Sequence, residues 1–223
     1  MKKIFILSLC FLAFASGVSY ATTVDYYVGG NYNNIYGYTN GASSVEGGGS
    51  VNISYLNGVA VPFDYCVDLF TVVYVPSDYN KSALTNNALI DGGILLKNAG
   101  EVAWLLDNFA IESKNNTNMQ IALQAAIWEV VNGYNGYHLD TEHYSGTEID
   151  SDYNQMIISQ GTAFGSSTND ITNYDWITPM NGNGTFYQAQ VTAAPVPEPG
   201  TMMLLGLGMA SLAIYGKRRA NKA

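Results

Sequence analysis

The chain has 223 residues, 48% of them apolar and only 12% charged, enough for one domain between two unusual ends. Between residues 22 and 200, Lys81, Lys97 and Lys114 stand against all eighteen acidic residues, a net charge of −15 with no arginine. That balance excludes nucleic-acid binding, which needs a basic face, and argues against docking on anionic lipid. Polarity comes mostly from Tyr, Asn, Gly, Ser and Thr, a composition typical of exported β-rich surface proteins.

Residues 1–21 read as a secretory signal: Lys2 and Lys3, an apolar run from Ile4 to Ala15, then Ser19-Tyr20-Ala21 before the cleavage site. Cys10 leaves with this segment, so the mature chain keeps one cysteine, Cys66. An exported protein with one cysteine has no internal disulfide, and the remaining thiol needs an explanation. The simplest is a small buried hydrophobe.

Residues 22–75 predict strands. Val24 to Val28 opens them, Gly29-Gly30-Asn31 breaks them, and Asn40-Gly41 and Gly47-Gly48-Gly49 punctuate the rest. Val51 to Tyr55 alternates with period two, and Asn57-Gly58 is a hairpin-type turn. Phe63 to Tyr74 predicts a buried strand carrying Cys66. The tyrosines between 26 and 38 fit either a sugar-stacking surface or an ordinary sheet face.

Residues 81–160 predict helices. Val102, Leu105, Leu106 and Phe109 form a helical stripe between Gly100 and Ser113. Thr117 to Gln120 reads as a capping box for a helix ending at Asn132, before Gly133. Ala122, Leu123, Ala125, Ala126, Ile127, Trp128, Val130 and Val131 make that helix apolar nearly all round, the signature of a buried central helix. Tyr134 to Tyr144 reads as loop, and Ile149 to Ser159 as a further helix. Strands return over 168–192, in Tyr174 to Ile177 and Thr185 to Val191. The order predicts an α+β domain over 22–194: a β-sandwich or barrel-like β lobe with an inserted helical lobe.

Gln124 is the odd residue of the central helix, with Gln120, Ile127, Trp128 and Val131 on its face. A buried carboxamide costs free energy unless its donors and acceptor are satisfied. Hydrogen bonds to nearby backbone would satisfy it, or it could face Cys66 and lose ammonia to form an internal thioester.

Tyr65-Cys66-Val67 followed by Leu123-Gln124-Ala125-Ala126-Ile127-Trp128 resembles the thioester domains of bacterial surface adhesins. Their paired pattern is aromatic-Cys-apolar, then apolar-Gln-x-x-apolar-Trp, and the resemblance covers residues 22–192. It implies a cysteine on a strand of a β-sandwich and a glutamine in an inserted helical lobe. It also implies a Cys66–Gln124 thioester, with Tyr65, Trp128, Ile127 and Asp64 in support. Such a bond needs no cofactor, and an amine or hydroxyl on a partner surface or matrix consumes it once, without turnover. Asp64, Asp68, Tyr65, Glu129 and His138 are the candidates for handling the proton.

The carboxyl end resembles the PEP-CTERM sorting signal. Val196-Pro197-Glu198-Pro199 precedes an apolar span, 201–216, and Lys217-Arg218-Arg219. The resemblance extends over 195–223 and implies recognition by an exosortase in a Gram-negative bacterium. It further implies a short transmembrane helix that anchors the chain in the inner membrane before processing, and delivery to the cell surface or an extracellular, biofilm-type matrix. The span is shorter than the roughly 20 residues an ordinary transmembrane helix needs.

Two other readings remain. One is a non-covalent matrix protein in which Cys66 and Gln124 merely pack; the other is a Cys66–His138–Asp140 hydrolase, which lacks a nucleophile motif. No metal is expected. His138 and His143 are five apart and have no ligand set, and the run from Asp150 to Asn154 lacks the later Gly and Glu of a calcium loop.

Overall fold

The structure, a computed structural model, describes residues 22–52, 54–163, 170–194, 205–209 and 211–212. The signal segment and Val196 to Pro199 lie outside them. The chain divides into two units after Ala193.

The first unit is α+β. It opens with β1 (Thr22–Val28), β2 (Asn31–Thr39) and β3 (Ala42–Asn52). Asn40 and Gly41, both at positive φ (52° and 78°), make the two-residue turn between β2 and β3. Asn57 and Gly58 do the same between β4 (Tyr55–Leu56) and β5 (Val59–Ala60). Then come β6 (Tyr65–Cys66), β7 (Ser77–Thr85), β8 (Leu89–Ile90) and β9 (Ile94–Leu95). Helices α1 (Ala99–Ser113) and α2 (Thr117–Asn132) follow, then β10 (Tyr137–Leu139) and α3 (Glu148–Ala163). The unit closes with β11 (Tyr174–Thr178) and β12 (Gln190–Ala193).

Seven strands form a curled, half-barrel antiparallel sheet in the order β5-β4-β1-β7-β11-β12-β6. A smaller sheet has the order β10-β2-β3, and β8 and β9 form a separate hairpin. Helix α2 packs between α1 and α3 and against β3, β6 and β10. Its residues from Gln120 to Trp128 are all buried, as the all-round apolar pattern predicts.

Several expectations are corrected. The helices are inserted in sequence, but they make no separate lobe: Leu105, Leu123, Ile127 and Trp128 share one continuous core with Tyr65, Cys66, Trp176 and Val191 of the large sheet. A second, smaller core, with Val24, Tyr26, Val28, Leu56, Tyr79 and Ile177, fills in beside β1 and β7. Only Tyr65 and Cys66 of the run from Phe63 to Tyr74 are in a strand. The stretch 81–98 completes β7 and supplies β8 and β9 rather than helix. Gly47, Gly48 and Gly49 lie inside β3 instead of breaking it. The cap of α2 is Asn116, whose Oδ1 accepts from the Met119 N–H at 3.1 Å; Thr117 is the first helical residue.

In the second unit, 205–209 and 211–212 are helical, with Leu205, Leu207, Met209 and Leu212 exposed. The remainder of the apolar span 201–216 lies outside the described residues. Among the described residues no helix is long and apolar enough to cross a membrane.

Candidate functional site

Cys66 sits on β6, the last strand of the large sheet, in register with Gln190 of β12. The neighbouring Val67 N–H donates to the Ala189 carbonyl at 2.9 Å. Antiparallel pairs alternate, so Cys66–Gln190 is the non-hydrogen-bonded kind, with closely set side chains and peptide groups turned away from β12.

Among the described residues no further strand receives those groups. The Cys66 N–H donates to Gln124 Oε1 at 2.9 Å, and Gln124 Nε2 donates to the Cys66 carbonyl at 2.7 Å. One side chain from α2 therefore does the work of a neighbouring strand. Both residues are buried, Gln124 completely and Cys66 to 2% exposure.

Backbone proximity makes the arrangement possible. A Cβ on Gly48 of β3 would come within 2.7 Å of both Gln124 Cγ and Trp128 Cη2. Only glycine lets β3 lie this close to α2 without displacing the two side chains. Trp128 is wholly buried, meets the Tyr137 ring edge-on with centroids 5.3 Å apart, and among the described residues has no hydrogen-bond partner for its Nε1–H. Ile127 is also fully buried in the shared core.

The residues preceding Cys66 are anchored on both sides. Tyr65 shares a 2.6 Å hydrogen bond with Ser113 Oγ, which ties β6 to the end of α1. Asp64, fully buried, accepts from the Tyr26 hydroxyl through Oδ2. Burial pushes the Asp64 carboxyl up to about 6. Burial likewise pushes the Cys66 thiol up to about 12; a hydrogen bond to Gln190 opposes that rise, while Asp64 and Asp68 add to it.

Asp68 stays close enough to raise the Cys66 thiol, whereas Glu129 and His138 are engaged elsewhere. Glu129 accepts from the Tyr153 hydroxyl. His138 Nδ1 bonds to the Tyr134 carbonyl at 3.0 Å, and its ring is stacked between Tyr134 and Tyr38. The hydrogen bonds of Cys66 go to Gln124 and Gln190, so the structure does not bring Cys66 and His138 together as a hydrolase pair. Asp150 and Asp152 lie on α3, not in a loop. Of the tyrosine-rich stretch, Tyr26 is core, and Tyr36 and Tyr38 stack on His143 and His138.

A cleft of about 620 Å³ reaches Cys66, with Tyr32, Gly48, Phe70, Val72 and Trp128 among its walls. Phe70, Val72 and Tyr74 on its rim are each more than 60% exposed.

Sequence reasoning missed two contributors, Gly48 and Gln190. Gly48 belongs to a triplet that reads as a turn. Gln190 opens the closing strand two residues after Gln188, and both are buried. Buried polar residues at strand spacing were the available signal.

Residues 195–219 match the PEP-CTERM protein-sorting motif. The motif marks an exported protein, anchored in the membrane before processing and recognised by an exosortase. No curated protein and no solved structure matches the chain.

Proposed function

We propose that this exported protein forms an internal thioester between Cys66 and Gln124 and uses it to attach covalently to a surface or matrix partner. The observation that carries the reading is the pair of hydrogen bonds between the Gln124 carboxamide and the Cys66 peptide groups. Its amide carbon lies between two atoms that are both held on Cys66. For the bond to form, the sulfur, which leaves the strand roughly perpendicular to the sheet's hydrogen bonds, has to meet a face of the carboxamide rather than its edge. Effective molarities for well-oriented groups reach on the order of 10⁵ M or more, which offsets the poor electrophilicity of an amide.

In the first step the Cys66 sulfur bonds to Gln124 Cδ, the Cδ–Nε2 bond breaks, and nitrogen leaves as ammonia with the thiol proton. In the second, an amine or hydroxyl attacks Cδ, the Cδ–Sγ bond breaks, and the sulfur takes up the proton that the nucleophile loses. The product is an amide or ester bond to the partner plus a free thiol. The cleft over Cys66 gives such a nucleophile a route of approach.

A second reading has its own support. Burial holds the Cys66 thiol neutral, and the Gln124 carboxamide is paired with backbone, as in a settled core. On that reading the chain is a non-covalent extracellular matrix protein. The intact mass of the exported protein separates the two. A thioester lowers it by one ammonia relative to the sequence, and Cys66→Ala or Gln124→Ala removes the deficit. A wild-type mass equal to that of the sequence favours the matrix protein.

A further inference from the structure

Gln190 meets the Cys66 sulfur from the neighbouring strand. It is fully buried, and both atoms of its carboxamide reach the sulfur, Oε1 at 3.4 Å and Nε2 at 3.3 Å. Nε2 also donates to the Gln188 carbonyl at 3.1 Å. A carbonyl only accepts, so that bond fixes which end of the amide is nitrogen. One N–H is spent on Gln188; the other is left for the sulfur. The cross-strand pairing explains the closeness, because side chains of non-hydrogen-bonded pairs are set nearest to each other.

The chemistry of this contact depends on the state of the sulfur. A neutral thiol is a weak donor and a weak acceptor, so it gives the buried carboxamide little in return for lost water. A sulfur carrying negative charge accepts a much stronger hydrogen bond. The carboxamide is already oriented by Gln188 and needs no rearrangement when that charge develops.

We infer that Gln190 is the residue that holds the reacting sulfur: Oε1 accepts the S–H of the resting thiol, and the Nε2–H stabilises the sulfur as it gains negative charge. This rests on the thioester reading and adds a third residue to it. Charge develops on the sulfur twice, when it attacks Gln124 Cδ and when it leaves on acyl transfer, and the same N–H serves both steps. Gln190 itself keeps its amide throughout. Asp64 and Asp68 bear on the same sulfur in the opposite sense, because their charges disfavour the thiolate.

Two measurements test the role. In the wild-type chain, methylamine uptake followed by peptide fragmentation locates the modified side chain. The label is expected on Gln124, and a label on Gln190 would overturn the inference by making Gln190 the acyl donor. The second measurement is the pH profile of Cys66 alkylation by iodoacetamide in a Gln124→Ala chain, where the thiol is free whether or not wild type forms a thioester. Gln190→Leu and Gln190→Glu, each introduced there, should move the profile to higher pH and slow alkylation at pH 8 by roughly tenfold, the value of one hydrogen bond to a charged group. Gln190→Glu retains length and an acceptor oxygen, so it stays informative if the leucine variant does not fold. Thermal midpoints identify any general loss of structure. Profiles that coincide with the Gln124→Ala parent would overturn the inference, whereas failure of wild type to take up methylamine would count against the thioester alone.

Discussion

The Gln124 side chain occupies the open edge of the strand at Cys66, accepting from its N–H and donating to its carbonyl. An edge strand ordinarily leaves such groups to solvent or to another chain, but here the edge is buried beneath α2. In a Cys66→Ala background, where the carboxamide keeps its nitrogen, Gln124→Ala would strand both peptide groups away from water. Roughly 2–4 kcal/mol of stability should be lost, from an orphaned donor, an orphaned acceptor and a cavity. Urea unfolding of purified protein measures this, and a loss below about 0.5 kcal/mol would mean that the pairing contributes nothing net.

Gly48 should be far less tolerant than its neighbour Gly47. An added Cβ at 48 meets Gln124 Cγ and Trp128 Cη2 at 2.7 Å, deep in packed core. At 47 it meets only the ring of Tyr32, at 2.9 Å, and Tyr32 is more than half exposed and free to swing away. Gly48→Ala should therefore cost about 1–3 kcal/mol by overpacking and should also slow any Cys66–Gln124 chemistry. Gly47→Ala should leave both nearly unchanged. Equal thermal midpoints for the two variants would contradict the packing described.

Stability should depend on pH through Asp64. Its carboxyl is raised by burial from 3.8 to about 6, so the folded state holds the proton after the unfolded chain has released it. The unfolded state then binds fewer protons, and stability falls as pH rises from about 4 to about 6, then levels. Asp64→Asn should flatten that slope and raise the midpoint above that of wild type at pH 7–8. Asp175, also raised to about 6 by burial, contributes a slope of the same sign, so the flattening is partial. A wild-type protein that gains stability between pH 4 and 6 would contradict the burial of Asp64.

The two ends predict processing. Co-expressed with an exosortase, the mature chain should begin near Thr22 and lose its tail close to the Val196–Pro199 motif. Terminal sequencing of surface-extracted protein checks both ends. Protein that still carries Lys217 to Ala223 after delivery would contradict the sorting.

Parts of this arrangement were readable from residue order, and the misses have physical causes. Helix α2 announced itself because a run buried on every side leaves no polar face to blur its pattern. Strand β7 did not. Its buried positions Tyr79, Ser82 and Thr85 are three apart, a spacing that imitates a helix. A bulge sets the first of these intervals: between the pairs Val24–Ser82 and Tyr26–Tyr79, β7 has one more residue than β1. Gly47 to Gly49 looked like a break because local propensity cannot register that a helix 70 or more residues later needs the space. Cys66 and Gln124 were paired through family resemblance, since no periodicity relates a strand to a helix 58 residues away. Gln190 carried no such resemblance, and only the strand register brought it to the sulfur.

The most direct test of the thioester is the response of the purified exported chain to methylamine. If Cys66 is bonded to Gln124, the protein should begin one ammonia lighter than its sequence and gain the mass of one methylamine. It should also release one thiol that labels with iodoacetamide, and Cys66→Ala and Gln124→Ala should each abolish the uptake. A wild-type chain that has its full sequence mass and takes up no methylamine would contradict the account and leave Cys66 as a packed core thiol.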